Sequence, residues 1–462
     1  MATANDPPRI LEQRLDDSAQ QALAITIYNQ NLALVKDRRR CTLTAGENRL
    51  AWRTVSAQIR PETALLSAGE GAPPISLLEQ NFDFDLLTPD SLLNKYLGRL
   101  VHVIRTQEDG TRITEEAQVL ATNAGVVLRY ADRIETGVVG HLTYPDLPAD
   151  LRDQPTLVLH LASAAGGTGD YELSYLTGGL GWRADYVANL AAGGQTMDLN
   201  GWVTLTNHSG VAYRQARVQL VAGEVHQVAP PEEPDMAYSP MVCESRPAPP
   251  QEEALDEYHL YTLARPTDIL QNQTKQVALL SAAAVPIQRE LEVRASPYSY
   301  QSSSKEGWTK LTVTSTLNFI NLNGDLGLPL PKGIVRVYTK DSRGHAQFIG
   351  EDEIDHTPKG ETVTLTLGES FDITVRRKQT DFVKLGGSGP HNYLHEAALV
   401  MELKNAKPEA ALVTVLEEIP GDWEVLAESQ PHTKQAAHLA AWQIAIPAEG
   451  KATLTWRVRI RY

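Results

Sequence analysis

Cysteine is almost missing from this chain of 462 residues, which holds only Cys41 and Cys243. Neither a disulfide framework nor a thiolate metal cluster can therefore organise it, and one bridge is the most the pair could form. Long apolar runs are missing too: nothing approaches the roughly 18 consecutive apolar residues of a membrane helix. The opening stretch, MATANDPPRILEQRLDDSAQQ, lacks the basic segment and apolar core of a secretory leader. Read as written, the chain is expected to stay in the cytoplasm; a removed leader would move that expectation to the envelope or the exterior. Positive charge is in deficit, with 42 Lys and Arg against 57 Asp and Glu and a net charge of −15. Polyanions bind through phosphate neutralisation, so nucleic acids and anionic lipid surfaces are not expected partners. No H-E-x-x-H, P-loop or EF-hand pattern occurs, and Gly386-Gly387-Ser388-Gly389-Pro390-His391 lacks the G-x-S-x-G spacing of a nucleophile elbow and reads as a hairpin tip.

What is present is strand periodicity. The length exceeds what one core fills, and 42% apolar with 21% charged residues is ordinary for folded protein. Ile25 and Ile27, then Leu32 and Leu34, alternate with other residues, and Ala45-Gly46-Glu47-Asn48 marks a hairpin turn. Trp202, Thr204 and Thr206 alternate with Val203 and Leu205 in the manner of a sheet with one buried face. The expected fold class is mainly β: several antiparallel β-sandwich modules plus a small β-barrel, with one short N-terminal helix. That helix is suggested by Asp6, Pro7-Pro8 and the spacing of Ile10, Leu11 and Leu15. The expected modules are an N-terminal helix or leader at 1–22, a β domain at 23–90, the barrel at 91–150, a central sandwich at 151–380 and a terminal sandwich at 381–462.

The composition breaks at 227–257, where seven prolines alternate with carboxylates, which predicts an exposed, mobile insertion interrupting the central sandwich. The basic runs Lys36 to Arg40 and Arg376-Arg377-Lys378 read as solvated strand edges that charge protects from aggregation. Gly178-Gly179-Leu180-Gly181 supplies positive-φ freedom between two strands, since no helix or Lys follows that could bind phosphate. The sequons Asn207-His208-Ser209 and Asn272-Gln273-Thr274 matter only in a glycosylating compartment.

The phrases run in a telling order. Tyr28-Asn29, Leu32-Ala33-Leu34-Val35 and Ile59-Arg60-Pro61-Glu62 are followed by Leu173 through Tyr186, Gly201-Trp202-Val203 and Leu220-Val221-Ala222-Gly223-Glu224. After the acidic stretch come Tyr258-His259-Leu260-Tyr261, Leu330-Pro331-Lys332-Gly333, Ile349 through Pro358, Asp422-Trp423 and Thr453-Leu454-Thr455-Trp456. From about residue 25 to its end the chain resembles the mucoidy inhibitor A-like family, whose shared core is classed as a domain of unknown function, DUF4139. The resemblance implies a β-rich, envelope-associated, non-catalytic protein and carries no activity with it. Many relatives look exported, and this chain shows no leader.

The densest polar phrase is Glu351-Asp352-Glu353-Ile354-Asp355-His356. In an extended chain Glu351, Glu353 and Asp355 share one face and could collect a hard cation such as Ca²⁺, with His356 beside them. The alternative is a turn whose carboxylates accept from backbone N–H groups. Trp182 and Arg183, with Asp185 and Tyr186, could form a recognition patch, or a core Trp beside an ion pair. Tyr258, Tyr261, Tyr298 and Tyr300, near His259, could stack on sugar rings or close strand ends. The leading expectation is a non-enzymatic binding or structural protein with a protein or glycan partner and no cofactor beyond a candidate Ca²⁺. The alternatives are a cation-dependent hydrolase or lyase on an envelope polysaccharide, using Glu351, Asp352, Asp355 and His356, and an adhesin-like or filament-forming module.

Overall fold

Inward and outward residues alternate with period two along strand after strand. In Leu32–Leu43 every odd-numbered position from Ala33 to Leu43 is buried, while Lys36, Arg38, Arg40 and Thr42 are exposed. Leu394–Asn405 and Lys451–Arg461 alternate in the same way. The computed structural model describes residues 11–107, 110–123, 125–148, 151–223, 251–255, 258–303, 307–322, 326–386 and 394–461. They are mainly strands, and the chain divides into two units. The first is Met1–Trp182, Leu205–Met241 and Glu253–Lys275; the second is Arg183–Thr204, Val242–Glu252 and Gln276–Tyr462.

In the first unit an eight-stranded sheet has Gln20–Tyr28 and Leu32–Leu43 at its middle, flanked by Tyr213–Ala222 on one side and Gly167–Thr177 on the other. A four-stranded sheet runs in the order Glu12–Leu15, Gly46–Arg53, Thr156–Ser163, Ile75–Asp83. Trp52 on this second sheet is fully buried and donates to Asp37 on the first, so the two sheets pack face to face. The N-terminal helix expected through Leu15 is corrected here: Glu12–Leu15 is a strand parallel to Gly46–Arg53, and positions 1–10 lie outside the described residues. Backbone pairing of this four-residue strand along the sheet edge overrides the weak helical spacing that ends at Leu15.

The barrel is also corrected. Residues 100–143 make an open five-stranded sheet, ordered Ile134–Thr136, Val127–Arg129, Arg112–Ala121, Leu100–Thr106, His141–Thr143. Its outer strands are three residues long and do not pair with each other. A helix, Pro89–Lys95, takes over the task of covering the apolar face: Leu93 and, just past its end, Tyr96 pack on Val101, Val103, Ala117 and Val119. The Thr88 side chain accepts from the Ser91 N–H and Pro89 occupies the first turn, a helix start signal that is legible in the sequence.

The second unit carries a five-stranded sheet, ordered Gln273–Pro286, Thr196–Asn207, Leu180–Leu190, Gly333–Lys340, Ala346–Ile354, with the ends before Arg183 and after Thr204 and the start before Gln276 counted to the first unit. Beyond it lies a sandwich of a six-stranded and a five-stranded sheet, whose shared core includes Val413, Trp442 and Ile444 from one and Leu399, Met401 and Trp456 from the other. The boundary expected at 380/381 falls inside the single strand Ile373–Lys384. Of the acidic insertion, Gln251–Leu255 forms a strand at the edge of the eight-stranded sheet, next to Tyr258–Thr262; positions 227–250, with Cys243, and 256–257 lie outside the described residues. So does most of the Gly386–His391 tip.

Candidate functional site

Both basic runs hide a buried arginine. Because Leu32–Leu43 is an interior strand and not a sheet edge, alternation turns Asp37 and Arg39 inward while Lys36, Arg38 and Arg40 face solvent. Ile373–Lys384 repeats the pattern: Arg377 is buried between half-buried Arg376 and exposed Lys378. A bare count of basic residues misses this, and strict period two could have found it.

Inside the first unit Arg39 is 1% exposed and Asp37 4%. The guanidinium reaches Asp37 Oδ2 through Nε at 2.8 Å and Nη2 at 2.7 Å, and Nη1 donates to the Leu15 carbonyl at 2.7 Å. Asp37 Oδ2 also accepts from Trp52 Nε1, and Oδ1 from Gln20 Nε2, both at 2.8 Å. Arg39 lies over the Trp52 ring, 5.2 Å from its centroid. Two charges taken out of water survive only when so many hydrogen bonds surround them.

Beside this pair opens a cavity of about 220 Å³, lined by Asp17, Gln20, Leu23, Val35, Asp37, Arg39, Thr54, Tyr175, Ala212, Tyr213, Arg214 and Gln215. Tyr175 comes from Gly167–Thr177 and Tyr213 begins Tyr213–Ala222, so the two strands flanking the sheet's central hairpin bring their phenols to one place. Tyr175 Oη accepts from the Ser56 N–H at 3.3 Å. Tyr213 is 3% exposed, and its hydroxyl is buried among those of Ser209, Ser56 and Tyr175. Burial pushes the Tyr213 phenol up to about 12; the neighbouring hydroxyls of Ser209, Ser56 and Tyr175 pull the other way. Burial raises Tyr175 as well. Both phenols are neutral hydrogen-bonding groups at physiological pH, and neither serves as a ready base. The thiol of Cys41 is buried and free, and burial lifts it to about 12, which removes it as a nucleophile.

In the second unit Glu417 is fully buried and accepts from Arg377 Nη1 at 2.5 Å and from the Tyr300 hydroxyl at 2.8 Å, which itself accepts from Trp456 Nε1 at 2.9 Å. Glu417 Oε1 has no partner. Burial raises its carboxyl pKa, and Arg377 and Tyr300 only partly oppose this.

The sequence-derived candidates land elsewhere. Glu351, Glu353 and Asp355 are exposed on one face, as extension demands, but cations of the chain already sit among them. Lys332 Nζ lies 3.6 Å from Glu353 and 3.4 Å from Asp355, and its pKa is raised by these two; Arg336 Nε lies 3.2 Å from Glu351. His356 Nδ1 accepts from the Lys332 N–H at 3.1 Å, and Asp352 accepts from the backbone N–H of Glu353 and Thr366. Among the described residues no group of three or more His, Cys, Asp or Glu side chains is placed to hold a metal ion. Asp352 therefore accepts from backbone, while Glu351, Glu353 and Asp355 face Arg336 and Lys332.

The surface expected from Trp182, Arg183, Tyr258 and Tyr261 is corrected for two of its members. Trp182 and Tyr261 are 5% and 2% exposed, and Trp182 Nε1 donates to the Val221 carbonyl at 3.3 Å; large rings on the inner face of a sheet leave water. Tyr300 is buried likewise, so it is no platform for a sugar, and the side chain of Tyr298 lies outside the described residues. Tyr258 is half-buried, its ring against Gly223. Arg183 is exposed and bonds Asp185 at 3.2 Å. Asp185, itself buried, also takes Thr204 Oγ1 at 2.6 Å and Arg336 Nη1 at 3.1 Å; burial works to raise its pKa, and these partners hold it below the usual carboxylate range. The sequon residue Asn207 is fully buried, donating to the carbonyls of Val211 and Ile269.

A comparison with curated proteins finds no match. The family model for the domain of unknown function DUF4139 matches residues 171–462, a span that includes both pocket tyrosines and the Arg377–Glu417 pair but not Asp37 or Arg39, and the chain belongs to that family.

Proposed function

We propose that this protein is a non-enzymatic binding protein that holds a small ligand in the Asp37–Arg39–Tyr213 cavity of its first unit. The observation that carries the reading is the combination found there. The deep charges Asp37 and Arg39 are engaged with one another and with backbone, and together with Tyr175 and Tyr213 they line a cavity of about 220 Å³. Groups so arranged recognise by hydrogen bonding; proton transfer at neutral pH needs a group poised near 7, and the phenol stands near 12. The order of sequence phrases adds the finer proposal that the chain is mucoidy inhibitor A-like and serves at the cell envelope. The cation-dependent hydrolase is disfavoured by Lys332 and Arg336 standing among Glu351, Glu353 and Asp355.

The reading is tested by equilibrating the protein with a mixture of small metabolites, separating it by gel filtration, and identifying what travels with it by mass spectrometry. Wild type should return a ligand chemically unchanged, and Ala212→Phe, which fills the cavity, should return none. A molecule that comes back altered, in proportion to protein and time, would overturn the proposal.

A further inference from the structure

A sheet ends in strands whose outward N–H and C=O groups lack a ladder partner, and such a row takes up a strand from another molecule unless something prevents it. Most sheet edges among the described residues prevent it by being short: strands such as Glu12–Leu15 and Thr433–Ala436 hold three to five residues. Five edge strands are longer, and each departs from a regular ladder. In Ile75–Asp83, Glu79 faces His160 and Leu77 faces the next residue, Leu161, so Leu78 is an extra residue with no opposite number. In Asp422–Glu428, Val425 faces Val458 and Ala427 faces Arg457, so Leu426 is extra in the same way. Ala346–Ile354 and Thr362–Glu369 carry Ile349 and Leu367 as their extra residues, and these two edges lean on each other: the Thr366 N–H donates to Asp352, and a Cβ on Gly350 would stand 2.5 Å from the Leu367 carbonyl oxygen. Gln273–Pro286 leaves the extended region at Ala284, φ +52, whose N–H goes to the Asp198 carboxylate.

In those four pairings the extra residue sits on the edge strand and not on its inner partner, and it is always Leu or Ile. A bulge kinks the strand and tightens its twist, so the groups on either side of it no longer lie in one straight row. Leu78 cuts its strand into Ile75–Leu77 and Glu79–Asp83, and Leu426 cuts its own into Asp422–Val425 and Ala427–Glu428. No run is then longer than the short edges elsewhere, and pairing over so few residues is marginal. Packing does not account for the two leucines, which are 54% and 37% exposed. We propose that Leu78 and Leu426 are edge guards: by breaking the ladder of Ile75–Asp83 in the first unit and of Asp422–Glu428 in the second, they keep both edges from adding a strand of a second copy of this chain. The proposal stands independently of the cavity and its ligand.

Deleting either leucine joins the two runs of its strand without turning any other side chain over, because the residues opposite the gap are already consecutive. The experiment compares the full chain with single deletions of Leu78 and of Leu426 by sedimentation velocity, from about 1 μM to about 1 mM, the range in which exposed strand edges associate. Wild type should keep the mass of one chain throughout, and each deletion should climb toward the mass of two chains or beyond while its denaturation midpoint stays near that of wild type. Adding Glu79→Lys to the Leu78 deletion, or Ala427→Lys to the Leu426 deletion, should return it to one chain, since a charge on the edge restores the protection by other means. Deletions that fold and stay single at every concentration would overturn the proposal. So would self-association of wild type that Leu78→Lys or Leu426→Lys abolishes, because the edges would then be open with their bulges in place. A deletion that lowers the midpoint as far as truncation of a core leucine does would overturn it as well, by showing that the extra residue serves the fold rather than the edge.

Discussion

At the scale of single residues, the buried arginines matter most. Removing one member of a buried, hydrogen-bonded ion pair leaves the other charge uncompensated, which costs about 3–5 kcal/mol. Asp37→Ala should therefore lower unfolding free energy by that amount in denaturant titration, because Arg39 at 1% exposure has no water to turn to. Arg38→Ala, one position away and paired with Glu172 at the surface, should change it by less than about 1 kcal/mol. Glu417 makes a pH-dependent prediction. Its carboxyl is raised in the folded protein, so the folded state holds the proton more tightly than the unfolded chain. Its stabilising contribution is complete below the ordinary carboxylate value and is lost as pH rises through the raised one. The stability difference between wild type and Glu417→Gln, followed by denaturation at several pH values, should fall across that window and then level off. A difference that stays flat would show that Glu417 titrates alike in both states.

At the scale of elements, the turn after Gly167–Thr177 shows how backbone and neighbours act together. Gly179 has φ +78, and a Cβ there would stand 2.5 Å from the Ser209 Cα. Gly179→Ala meets both the left-handed strain and the backbone of another strand connection, so it should destabilise by more than the roughly 1–2 kcal/mol of the conformation alone, measured as a shift in denaturation midpoint. The glycine-rich phrase Gly178-Gly179-Leu180-Gly181 made the positive φ legible in sequence; that Ser209 lies against it was not, since 30 residues separate them. Strands were readable wherever one face is buried, as in Leu394–Asn405. The short edge strands around 100–143 alternate equally well in a barrel or an open sheet, and closure is a matter of partners rather than of pattern.

For the whole molecule, a net charge of −15 acts at a distance that no single contact does. The chain should pass through a heparin column unretained at about 0.15 M salt, where screening leaves only close contacts; retention that vanishes with added salt would reveal a basic patch strong enough to outweigh the net charge. Composition and period two determined the mainly β character and the alternation of inward and outward positions along each strand, because alternation is a local property of an extended chain. The candidate site lay beyond their reach. Asp37, Arg39, Tyr175 and Tyr213 come from three strands whose order in the sheet is not the order in sequence. Only tertiary pairing decided that Leu32–Leu43 would be an interior strand, that its Asp and Arg would close on each other under Trp52, and that two phenols would meet over a cavity. Burial turned ordinary polar residues into a site, and burial belongs to the assembled sheets rather than to any stretch of residues within them.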